Sequence, residues 1–138
     1  MVRRWKIGLI FGVFIIIMLS GCSQRKAIPE SERTEIDFTI VEERDIPEKL
    51  LEIIEGNKKE EMRLSYTDEE NLYLVRGYGQ QKTGGYSIAV AECTEDEKTI
   101  WFDTRLLGPE NQEMLSEDPS CPYLVVRIEM REKEIMID

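Results

Sequence analysis

Histidine is absent from the 138 residues. That excludes Ser–His and Cys–His nucleophilic pairs and every His-ligated metal site. No phosphate-binding glycine motif, no Asn-x-Ser/Thr sequon and no calcium loop of alternating acids with Gly and Glu occurs. Acidic residues are missing from the first twenty positions, although the chain as a whole holds 28 of them against 18 bases. Residues 1–21 carry three bases and the other 117 carry 15, so the net charge of −10 divides into +3 and −13. A body at −13 repels nucleic acid and anionic headgroups, which leaves no nonspecific nucleic-acid partner.

What is present begins with a processing signal over residues 1–21. Arg3, Arg4 and Lys6 form a positive head, followed by an uncharged apolar run from Ile7 to Leu19. That run is shorter than the ~20 residues that cross a bilayer and suits a signal-peptide core. It ends in Leu19-Ser20-Gly21-Cys22, which resembles the lipobox of bacterial lipoprotein signals. The resemblance implies cleavage before Cys22 and a diacylglyceryl thioether on its sulfur. The mature chain would then be held at the extracytoplasmic face of the cell membrane. Residues 22–44 read as a polar tether, with a candidate first strand at 36–40, where Ile36, Phe38 and Ile40 alternate with Asp37 and Thr39.

The body, residues 45–138, opens with a helix over about Pro47–Glu55. Asp45 and Glu48 have capping-box spacing, Ile46, Leu50, Ile53 and Ile54 share a face, and Gly56-Asn57 offers a left-handed stop. The period then changes from helical to alternating. Strands are expected at Met62–Tyr66, Leu72–Arg76, Tyr86–Cys93, Thr99–Leu107 and Tyr123–Met130. Arg131-Glu132-Lys133 offers a hairpin into a last strand at Glu134–Ile137. The expected fold is α+β and mostly β: one N-terminal helix packed on an antiparallel sheet or small barrel of five to six strands.

Between the second and third of these strands lies Lys82-Thr83-Gly84-Gly85-Tyr86-Ser87-Ile88, and Pro122-Tyr123-Leu124-Val125-Val126-Arg127-Ile128 forms the fifth. Together they resemble the C-terminal domain of PrcB-type lipoproteins, subunits associated with a secreted protease complex. The resemblance runs from roughly Leu72 to Met130. It implies a binding or assembly subunit whose partner is a secreted or surface protein such as a protease; separately, the missing histidine and the unpatterned acids give no expectation of a cofactor or a metal. Physically, Gly84-Gly85 permits a sharp turn and Tyr86 anchors the strand that follows. Thr83, Gly84, Gly85 and Tyr86 therefore read either as a hairpin or as a binding loop. A fainter resemblance, to the Thr-Thr-Gly-Tyr loop of chagasin-type cysteine-protease inhibitors, suggests a direct peptidase inhibitor as the alternative. An inserted glycine and the missing Asn-Pro depart from that pattern. A small-ligand-binding lipoprotein is a further alternative.

Three more features qualify as candidates. In Trp101-Phe102, alternation puts Phe102 inside and Trp101 partly outside, as an interface anchor beside Arg105 that Tyr78 and Tyr86 would extend. Cys93 and Cys121 remain after lipidation, either as a disulfide or as two reduced thiols. The acids fall in turn segments and read as a solvated surface, and no catalytic residue is expected.

Overall fold

A computed structural model describes residues 32–111 and 117–138. The signal segment, Cys22 and the tether up to residue 31 lie outside the described residues. Two short strands come first, β1 (Thr34–Glu35) and β2 (Thr39–Ile40). A 3-10 turn (Glu43–Asp45) and the helix α1 (Glu48–Asn57) follow. Then come β3 (Glu61–Thr67), β4 (Asn71–Tyr78), β5 (Ser87–Glu95), β6 (Thr99–Leu107), β7 (Tyr123–Glu129) and β8 (Glu134–Ile137).

The strands form two sheets, where the sequence suggests a single sheet or barrel of five or six strands. One has the order β1-β5-β6-β8 and the other β2-β7-β4-β3. They stack face to face on Ile36, Leu72, Leu74, Cys93, Ile100, Phe102, Val126 and Ile128. The helix covers the opposite face of the second sheet through Leu50 and Ile54, joined by Ile46 just before it, and these meet Met62, Tyr73, Val75 and Val125. The body is thus three layers, helix on sheet on sheet, and β4 is the buried centre. Its residues from Leu72 to Gly77 are all buried, odd positions toward the helix and even ones toward the other sheet. A strand covered on both faces needs a continuous apolar run, and Leu72-Tyr73-Leu74-Val75 supplies one.

Four local expectations change. The helix is preceded by two strands, because the chain from Thr34 to Val41 crosses from one sheet to the other. Thr34 faces Glu95, and Thr39 faces Arg127. Of the alternating residues expected there, Ile36 is buried, whereas Ile40 is 56% exposed on an edge. The capping box does not form: Asp45 closes the 3-10 turn and Pro47 is the N-cap, with no side-chain cap bond. At the other end the helix runs through Gly56, and Asn57 Nδ2 donates to Ile53 O at 2.7 Å.

The fourth change concerns β8, which does not return as a hairpin on β7. It crosses to the other sheet and runs parallel to β6, from Thr99 opposite Glu134 to Phe102 opposite Ile137. The connector explains the crossing. Arg131 and Lys133 both bind the Glu95 carboxylate at the end of β5, and Lys133 Nζ also donates to Asp96 O at 2.7 Å.

Candidate binding site

The glycine-rich loop joins the two sheets at one end of the stack, between β4 and β5. Gln81 and Ser120 exchange backbone hydrogen bonds of 2.7 and 3.2 Å, and Ser120 Oγ donates to Thr83 O at 2.7 Å. The loop is thereby fastened to the segment that leads into β7. Gly84 is buried, and Gly85 sits at φ 87°, where a side chain is strained. Tyr86 is half-buried at the exit of β6, since a Cβ on Gly108 would lie 3.7 Å from its Cε1. Thr83 to Tyr86 therefore form a fastened connector whose exposed part is small.

Tyr78 and Trp101 do not share a patch with that loop. The Tyr78 hydroxyl lies 2.5 Å from Thr104 Oγ1, on the same face of β6 as the buried Phe102. The Arg76 guanidinium lies 4.0 Å from the Tyr78 ring centroid. Trp101, the neighbour of Phe102 in β6, lies on the opposite face of that strand. Its fully buried neighbour Phe102 and its own half-burial agree with the alternation read from the sequence.

Arg33 lies over the Trp101 ring at 3.7 Å, in the place the sequence suggested for Arg105. Arg33 also donates to Glu92 Oε2 at 2.9 Å, and Thr94 Oγ1 donates to the same oxygen at 2.6 Å. The Thr94 hydroxyl and the Arg33 cation hold the Glu92 carboxyl below its ordinary range. Arg33 is outside any strand and far from Trp101 in sequence, so no periodicity marks the pair. Arg76 is the second residue that pattern reading missed. It is 4% exposed, donates to Gly77 O, and lies 3.6 Å from a Glu61 carboxylate oxygen; its Nε has no partner among the described residues. The signal was an arginine ending the apolar run of β4.

The two cysteines stay apart as free thiols. Cys93 is buried between the sheets, and burial pushes its thiol up to about 11. Cys121 is half-buried in the segment before β7. Of the two alternatives the sequence left open, the structure has the pair as reduced thiols. A thiol held protonated in an apolar layer is also a poor nucleophile.

Residues 72–129 match the family described as PrcB C-terminal. The matched segment is somewhat under half of the chain and runs from β4 through β7, including the glycine-rich loop and Trp101. Among curated proteins and among solved structures, nothing matches.

Proposed function

We propose that the chain is a lipid-anchored extracytoplasmic binding or assembly subunit that holds or stabilises a secreted, protease-like partner. The observation that carries this reading is the PrcB C-terminal match over residues 72–129. Two features of the body support binding over catalysis. There is no histidine to activate a nucleophile, and burial of Cys93 holds its thiol in the unreactive, protonated form. The lipobox-like Leu19-Ser20-Gly21-Cys22 supports the anchor.

Direct inhibition through Thr83–Tyr86 is less favoured, because Ser120 fastens the loop and Gly84 is buried, which leaves little to insert into a cleft. The experiment is affinity capture of the full chain from detergent extracts, with mass spectrometry of what is retained. A Thr83→Ala/Tyr86→Ala variant, checked for native circular dichroism, serves as the comparison. A secreted protease recovered by the parent and depleted with the variant is expected. Recovery of no protease overturns the reading; equal recovery by both removes the loop as the binding surface and leaves the binding to another face. Replacing Cys22 with Ala should abolish labelled-palmitate incorporation; persistent labelling removes the anchor.

A further inference from the structure

We propose that the outer edge of β5, from Ser87 to Ala91, is a docking slot for an extended segment of a partner polypeptide that carries an apolar residue flanked by Lys or Arg. This rests on the binding-subunit reading and names the surface and the chemistry that would serve it. β5 runs for nine residues, but β1, its neighbour on the outer side, has only two. β1 reaches Glu95 and Thr94, and the last bond across is Ile36 N–H to Cys93 O at 2.9 Å. Among the described residues, only β6 pairs with the stretch from Ser87 to Val90. The outward amides and carbonyls of this stretch therefore have no strand beside them among the described residues. A row of main-chain groups at strand spacing is complemented by another extended backbone, which adds as a strand.

A cleft of about 210 Å³ adjoins this edge, lined by Glu35, Ile36, Phe38, Val90, Cys93 and Thr94. It opens where the β5–β6 register shifts between Val90 and Glu92. Phe38 stands 39% exposed at its rim, so an apolar side chain of the incoming strand has a ring to cover. Glu35 and Asp37 are exposed beside it, and neither is ion-paired among the described residues, whereas nearby Glu92 is held by Arg33. As part of a net charge of −13 over residues 22–138, these two carboxylates favour a basic occupant.

A second copy of the chain is the poorer occupant. It would bring another −13, and the bulge at Val90–Glu92 bends the edge away from long pairing with an identical strand. A short heterologous strand can pair with Ser87–Val90 alone and end at the bulge.

The test uses the ¹⁵N-labelled full chain in detergent and a short synthetic peptide of alternating Lys and Val. A Glu/Val peptide and a backbone N-methylated Lys/Val peptide are the comparisons. Amide signals of Ser87–Ala91 should shift on titration. Affinity should fall by about tenfold or more for the acidic peptide and for the Glu35→Lys/Asp37→Lys chain, and N-methylation should abolish the shifts. Without peptide, the outward amides of Ser87–Val90 should exchange with solvent faster than those of Cys93–Glu95. Absence of shifts at Ser87–Ala91, equal binding of the N-methylated peptide, or equal exchange along β5 overturns the proposal. Loop-dependent capture of a protease can succeed while this titration fails, so the two readings fall separately.

Discussion

The three-layer arrangement makes a demand that a single half-wet sheet would not: adjacent residues of β4 must both be costly to truncate. Leu74 and Val75 are each 0% exposed, Leu74 against the other sheet and Val75 against the helix. Leu74→Ala deletes the branched end of a fully enclosed side chain and should cost about 2–5 kcal/mol, the transfer loss plus the cavity left behind. Val75→Ala removes the equivalent of two methylenes, about 1.6 kcal/mol of transfer at ~0.8 each, and about 2 once incomplete collapse is added. A folded body of roughly 100 residues has about 5–15 kcal/mol to lose, so Leu74→Ala takes a large fraction of it. The assay is urea unfolding followed by far-UV circular dichroism, with the slope held common to all variants. Ile53→Ala, at a helix position 42% exposed, is the control and should shift stability by less than about 1 kcal/mol. If either β4 substitution costs under about 0.5 kcal/mol, that face of the strand is wet and the layer assigned to it is wrong.

Three further outcomes follow from the outer face and the core. Removing the guanidinium with Arg33→Ala should cost about 1 kcal/mol and leave Trp101 more open to acrylamide quenching, measured in a Trp5→Phe background; unchanged quenching would show that Arg33 does not cover the ring. Glu92 has its folded-state pKa depressed by the Thr94 hydroxyl and Arg33, so its contribution is complete above the ordinary carboxyl range and fades as pH falls through the folded value. The urea midpoint should therefore drop below about pH 5, less steeply in Glu92→Gln, and parallel profiles for the two chains would rule this out. With its thiol pushed up to about 11 and its side chain buried, Cys93 should resist iodoacetamide at pH 8 until the chain unfolds, while Cys121 is modified first; equal native rates would contradict the burial.

What could be read from the sequence was the identity of faces, and what could not was the identity of neighbours. The 3.6 period picked out Ile46, Leu50, Ile53 and Ile54; Ile46, Leu50 and Ile54 are buried, whereas Ile53 is 42% exposed. Alternation bounded β6 at Thr99 and Leu107, and β8 at Glu134 and Ile137, as the structure has them. It also put Phe102 inside and Trp101 on the other face. Pairing is different, because period 2 says which side of a strand is apolar and nothing about the strand beside it. Arg131-Glu132-Lys133 has the length of a hairpin turn, yet the Glu95 carboxylate draws both cations across to the other sheet, so β8 lies parallel to β6. The Asp45 cap failed for a similar reason: the chain crossing from sheet to sheet spends Asp45 in a 3-10 turn, where the Asp45 N–H binds Glu42 O.

The candidate site divides along the same line. Thr83–Tyr86 was visible because glycines punctuate, but its fastening by Ser120 depends on a contact 37 residues away. Arg33 over Trp101 is likewise a long-range meeting of two residues that no short pattern joins. One sign of the second layer was present in β4 itself. A strand with one wet face alternates, and Leu72-Tyr73-Leu74-Val75 does not. Taken at face value, that run already required cover on both sides, which one short helix could not provide. The second sheet is what the unbroken run implies, and the edge of β5 is what the second sheet leaves open.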